Sequence, residues 1–299
     1  MVIRVGNAPV SWGIMEVEGW NGQKPYAEVL DEIARAGYSG TELGPYGYFP
    51  AEPEELQREL SARKLELVTA FVPIPLAKAE AHESAFREAI QTAELLASAG
   101  ARLIVLADAM NKSRMALAGR VDSNRHGMNA EEWASGARIL TRVAESCLEL
   151  GLKTVFHHHA GTFIETPDEI ARLCESTDPD LIGLCLDTGH YFYGGGNPVE
   201  AVQKYGSRIR HLHLKDVDQP VLEKVRKEGV GFLEAVRRDV FCELGQGAVD
   251  FPRVIQELKA VGFSGWAIVE QDTDASQEGV DPFARAVRSR QYLQNTISL

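Results

Sequence analysis

An α/β fold, a (β/α)8 barrel in a single domain over residues 1–299, is what this sequence predicts, and three observations lead there. The first is a recurring unit in which an amphipathic helix ends near a glycine and is followed by a short apolar strand. The second is the number of strands, eight, which is the number that closes a parallel sheet into a barrel. The third is that acidic and imidazole side chains stand at the ends of apolar runs, where α/β proteins gather their ligands.

The elements follow in order. RVGNAPVSW (4–12) reads as the first strand. VLDEIARAGYSGTEL (29–43) has apolar residues at spacings of three and four, Gly37 as a left-handed C-cap, and a second strand ending at Glu42. KLELVTAF (64–71) is the third strand. ELLASAGARLIVLAD (94–108) and SCLELGLKTVFHHH (146–159) repeat the unit around Gly100 and Gly151 and supply the fourth and fifth. LIGLCLDTGH (181–190) and RIRHLHLKD (208–216) are the sixth and seventh, and VIQELKAVGFSGWAIVEQD (254–272) ends the series through Gly262. Near-continuous apolar runs of this kind belong to parallel strands buried on both faces. A doubly wound open sheet is the rival architecture, but no GxGxxG follows the first strand. Two inserts, near 109–131 and 217–247, follow strands and so fall on the face where lids and substrate loops are expected. In the second, VLEKVRKEGVGFLEAVRRD (221–239) reads as one amphipathic surface helix. The run Gly194 to Gly196 reads as a flexible loop, because no strand directly precedes it and no Lys or Ser follows to make a phosphate cradle.

Composition narrows the function. With 44% hydrophobic and 25% charged residues the chain is an ordinary globular protein with ample core. No run of 18 apolar residues is present, and MVIRVGNAPV lacks a secretory leader, which points to the cytoplasm. Cys147, Cys174, Cys185 and Cys242 lack metal-ligand spacing and read as structural thiols. A formal net charge of −12 opposes nucleic acid and anionic membranes as partners and favours a small neutral or metal-chelated substrate.

The candidate site consists of the HHH run at 157–159, Asp187, His213 and Glu270, each at a strand end. Side chains alternate along a strand, so His211, His213 and Lys215 share one face, as do His157 and His159, while His158 turns to the helix layer in a structural role. Asp187 is the last inward residue of its strand and His190 lies on the turn above. Such groups could bind one divalent cation, and oxygen and nitrogen ligands without thiolate suit Mn, Mg, Co or Zn, with Mn preferred. Proton transfer is assigned to His190, which titrates near neutrality, and to Lys215, whose pKa a nearby cation should hold down, with Glu270 as a further candidate. Glu42 is a substrate hydrogen-bonder or a carboxylate paired across the rim. Trp12 is a pocket wall or a core aromatic, and His157 and His211 are candidate substrate contacts.

NAPVSWGI (7–14), GTELGPYGYFP (40–50), HHHAGT (157–162), LDTGHYFYGGGNP (186–198), HLHLKDV (211–217), ELGQGAVDFP (243–252) and GWAIVEQD (265–272) together resemble the inosose dehydratases. Those enzymes belong to the xylose isomerase-like superfamily of TIM-barrel sugar isomerases and epimerases, and the likeness spans essentially the whole chain. The resemblance implies metal-dependent dehydration of a keto-inositol, such as 2-keto-myo-inositol, to a cyclic dione and water. A proton leaves the carbon beside the ketone, an enediolate forms, and a β-hydroxyl departs. Ketose isomerisation or epimerisation is the alternative. An abasic-site endonuclease would need a cationic DNA face, and a non-catalytic sugar-binding protein would need no metal. The implied partner is a polyol ketone or ketose without phosphate, and a homo-oligomer is compatible with this reading. The superfamily holds its metal with Glu, Asp, His and Glu from strands five to eight. Asp187, His213 and Glu270 match the last three positions. At the first this chain aligns His157, with His159 and Glu165 close by, so the fourth ligand is expected from these three.

Overall fold

The computed structural model describes residues 2–15 and 24–299. Its main sheet is parallel throughout, and its strands follow one another in the order a closed barrel requires. The strands are Ile3–Asn7, Gly40–Thr41, a third in two segments, Leu103–Asp108, Lys153–His157, Ile182–Asp187, Ile209–Leu214 and Gly265–Val269. Closure depends on the third. Its first segment, Glu66–Leu67, pairs with strand two, and its second, Phe71–Ile74, pairs with strand four. Chain continuity from 66 to 74 therefore joins the two edges of the sheet. The interval between segments also stays bonded to both neighbours, with Leu43 N–H donating to Thr69 O at 2.9 Å and Val105 N–H to Ala70 O at 3.1 Å. Among the described residues this sheet leaves no edge open for pairing, which is what distinguishes a barrel from the doubly wound alternative.

The helix–glycine–strand units form as expected. Helices Tyr26–Arg35, His82–Ser98, Ala130–Glu149 and Phe251–Ala260 are followed by Gly37, Gly100, Gly151 and Gly262 at φ between 74° and 94°. At Gly100, a Cβ would meet nothing within 4 Å, so backbone conformation rather than crowding calls for glycine there.

Three local expectations are corrected. The first strand stops at Asn7, because Pro9 offers no N–H to the ladder and begins a 3-10 turn, Pro9–Trp12. That turn carries Trp12 into the core, where its indole N–H donates to Glu32 at 2.6 Å. Residues 221–239 are not one surface helix. Gly229, at φ 70°, separates helices Gln219–Glu228 and Phe232–Arg237, and an antiparallel ribbon, Asp216–Val217 with Phe241–Cys242, flanks them. Their apolar faces bury Leu222, Val225, Phe232 and Phe241 with Ala118 of the first insert, Ala160 and Tyr193, forming a second core over the barrel mouth. Finally, the Gly194 to Gly196 run is held at both ends rather than loose throughout: a Cβ at Gly196 would lie 2.2 Å from the Tyr191 ring and one at Gly194 2.3 Å from Glu165 O, while Gly195 between them is exposed with nothing within 4 Å.

The first insert folds into helices Lys112–Leu117 and Ser123–His126. It is tied down by Arg114, whose guanidinium makes two bonds to Glu169, at 2.8 and 2.9 Å, in full burial. The four cysteines carry free thiols, and burial pushes Cys185 up to about 11. Among the described residues no helix is long and apolar enough to cross a membrane.

Candidate metal centre and active site

Strands five to eight bring His157, Asp187, His213 and Glu270 together at their C-terminal ends. One ligand-capable atom from each lies within 4.8 Å of the others, and all four side chains are buried. His157 Nε2 lies 3.3 Å from Asp187 Oδ2. His213 Nδ1 stands 3.2 Å from Glu270 Oε2 and 3.8 Å from Asp187 Oδ2.

Glu42, at the end of strand two, fixes the orientation of the central imidazole. Its Oε1 accepts from His211 Nε2 at 2.9 Å and from His213 Nε2 at 3.0 Å. A carboxylate only accepts, so both rings present N–H at Nε2. The Nδ1 of His213 is thereby aimed at two carboxylates, and despite its closeness to Glu270 it makes no hydrogen bond of acceptable geometry. A buried ring nitrogen facing carboxylate oxygens, with its far side held by another carboxylate, is the arrangement that suits a cation between them. His157 also keeps an unpartnered Nδ1. The donor set thus fits a divalent metal, with His157 rather than the other two candidates completing it.

Those two are placed elsewhere. Glu165 lies outside the four-residue group: its carboxylate accepts Gly119 N–H and Gly161 N–H, both at 2.7 Å, and so joins the first insert to the loop after strand five. Burial, against the pull of those two amides, pushes it up to about 7. His159 lies in a neighbouring group with His190 and Asp272. His158 faces away and accepts Asp187 N–H through Nε2 at 3.3 Å, as its structural role requires.

Lys215 occupies the space between the two groups. Its Nζ is 3.3 Å from Asp187, 3.1 Å from Glu270, 2.7 Å from Asp272 and 2.8 Å from His190 Nε2. Burial alone would lower its pKa, but Asp187, Asp272 and Glu270 outweigh burial and hold it well above the usual lysine value. These carboxylates favour an ammonium, able to donate a proton, and so oppose the lowering that a bound cation was expected to produce. Asp187 and Glu270 are held low by the reverse of the same balance, with burial opposed by Lys215 and the neighbouring histidines. His190 is kept neutral by burial, with His159 and Lys215 adding to the effect.

A cavity of about 270 Å³ opens above these groups. Glu42, His157, His159, His213, Lys215, Glu270 and Asp272 form its polar floor, and Pro9, Val10, Ile14, Met15, Phe71, Pro73 and Met110 wall it. Trp12, His190 and His211 do not line it. Trp12 and His211 are corrected as substrate contacts, the first by its bond to Glu32 and the second by its place behind Glu42. His190 reaches the cavity only through Lys215. Two buried acids escaped the sequence reading. Asp272 stands two residues beyond Glu270 on the same face, so the alternation that linked His213 to Lys215 could have found it. Asp108 ends strand four, where it accepts Leu76 N–H and Phe163 N–H at 3.0 and 2.7 Å and clips two loops together.

The closed barrel and the imidazole–carboxylate set at its mouth define the class of protein. The profile of the family described as xylose isomerase-like TIM barrel matches residues 30–295. Within it, the chain is 35% identical over 296 residues to the inosose dehydratase of Geobacillus kaustophilus, covering 98% of this chain and 94% of the relative. It is 33% identical to that of Clostridium beijerinckii, covering 98% and 96%. This chain belongs to the inosose dehydratase family. A solved structure of the IOLI protein with a bound zinc atom shares the fold at TM-score 0.71 and 16% identity, covering 99% of this chain and 98% of that one.

Proposed function

We propose that this protein dehydrates a keto-inositol, 2-keto-myo-inositol or a close isomer, to a cyclic dione and water. The observation that carries the reading is the meeting of His157, Asp187, His213 and Glu270 with the Lys215 ammonium at the floor of one pocket. A divalent cation held by those four residues would supply the electrophile that polarises the ketone and steadies negative charge next to it. Two imidazoles and two carboxylates suit Mn, Co or Zn better than Mg, which favours all-oxygen sites.

The protein's own groups divide the remaining work. Glu270, ionised and facing the cavity, is the base for the proton on the carbon beside the ketone. Lys215, kept charged by three carboxylates, is the acid that gives its proton to the departing hydroxyl. Asp272 and His190 hold the ammonium from behind, and Glu270, having taken the α-proton, stands 3.1 Å from Nζ and can return it to the lysine. The apolar wall suits a polyol ring, whose C–H faces are apolar although its edge is not. The described residues lining the cavity include one lysine and no arginine, which favours an uncharged substrate over a sugar phosphate.

The test is incubation of metal-loaded protein with 2-keto-myo-inositol and with free ketoses, followed by mass and absorbance. Loss of one water from the inosose supports the reading. Isomerised or epimerised ketose with no loss of water overturns it.

A further inference from the structure

Beside the proposed metal centre lies a second group of the same kind. His159, His190 and Asp272 each direct a ligand-capable atom into one space, all within 4.8 Å, and all three are buried. Asp272 Oδ2 has no hydrogen-bond partner there and lies 3.6 Å from His190 Nε2. His159 Nδ1 is engaged with Ala160 O at 2.7 Å, so it carries the proton and leaves the Nε2 lone pair free. Two imidazoles and a carboxylate would ordinarily be enough to hold a divalent cation of the zinc or cobalt type. In this chain the Lys215 ammonium fills the position, 2.8 Å from His190 and 2.7 Å from Asp272.

We propose that His159, His190 and Asp272 form a second cation station permanently filled by Lys215, and that shortening this lysine opens the station to a divalent metal. The inference rests on the first centre holding its own cation, since charge decides the outcome. One ammonium and one divalent ion balance the three carboxylates they touch, Asp187, Glu270 and Asp272. Removing the ammonium leaves a buried negative charge uncompensated beside an orphaned oxygen, an unfavourable state that an incoming cation relieves. Lys215 thereby acts as a built-in substitute for a second metal, and its chain fixes that charge at a set distance from the first.

Metal content and cobalt titration followed by visible absorption test this without turnover. Wild type should hold about one cation per chain and Lys215→Ala about two, with the second equivalent raising Tm in the variant but not in wild type. Lys215→Ala/Asp272→Asn should return to about one. Lys215→Ser is the second variant should alanine fold poorly, and added cobalt should restore its fold. The inference is overturned if both lysine variants bind no more cobalt than wild type, or stay unfolded at saturating cobalt. A wild type that holds no cation would instead remove the first centre, so the two failures are distinguishable.

Discussion

At the residue scale the decisive question is which groups hold the metal and which move the proton. Asp187→Ala removes a buried carboxylate that contacts His157, Lys215 and His190 N–H, so metal content should drop far below one per chain. Elemental analysis reads this directly, and full occupancy in the variant would take Asp187 out of the site. Glu42 should behave differently. It stands outside the four-residue donor group but orients His213 through its Nε2, and the loss of such a support typically weakens metal affinity about 10–100-fold. Glu42→Gln should therefore show a raised metal dissociation constant with activity recoverable at high metal, and unchanged affinity would sink the orienting role. Lys215→Met should retain the cation of the first centre while kcat/KM falls by roughly 10²-fold or more, the usual scale of a lost general acid. Deuterium exchange at the substrate α-carbon should survive in that variant, because Glu270 remains as base. Loss of exchange along with turnover would make Lys215 the base after all.

At the element scale the inserts are held over the site by buried charges. Arg114 joins helix Lys112–Leu117 to helix Pro167–Ser176 through Glu169, which also accepts Glu165 N–H and Thr166 N–H at 3.0 and 2.9 Å. Arg114→Ala leaves Glu169 buried with no guanidinium, a change that costs about 3–5 kcal/mol in comparable buried pairs. Urea denaturation should show the loss, and a shift below about 0.5 kcal/mol would place the pair among ordinary surface contacts. Glu165 adds a pH dependence. Burial raises its folded pKa from the usual 4.5 to about 7, so its contribution is fully present below pH 4.5 and is lost as pH rises through about 7. The stability of wild type relative to Glu165→Gln should thus decline from about pH 5 to about pH 7.5. Parallel declines in the two proteins would assign the slope to another group.

At the scale of the whole molecule, the polar groups of the pocket lie at one pole and come from four strand ends, the second, fifth, seventh and eighth, or the residues just past them, so no single segment contains the site. A ligand that binds only the assembled barrel stabilises it, by about 2.7 kcal/mol at a hundred times its dissociation constant. Adding Mn or Co to chelator-treated protein should raise Tm accordingly, and the rise should be lost in Asp187→Ala. Competition experiments address the substrate: inosose should protect or inhibit where phosphorylated sugars do not, given one ammonium at the floor and apolar walls above it. Micromolar inhibition by sugar phosphates without any by inosose would contradict the uncharged-substrate assignment.

Much of this was legible from the chain alone, for reasons of periodicity. Helix–glycine–strand punctuation is local, so the eight strands and their capping glycines followed from spacing and from the left-handed conformation that glycine accepts. Asp187, His213 and Glu270, which the structure brings together, could be singled out because a parallel barrel collects polar groups at strand ends, a rule that needs no coordinates. What the spacing of residues left open was every choice among neighbours of like chemistry. His157, His159 and Glu165 were equivalent as candidates, and only packing separated them, by sending Glu165 to two backbone amides and His159 to Ala160. Trp12 and His211 were lost as pocket residues for the same reason, one turned inward by Pro9 and the other covered by Glu42. The charge state of Lys215 was the most non-local property of all. Three carboxylates from two strands surround it, and a buried group titrates according to neighbours that only the folded barrel brings within 3.3 Å.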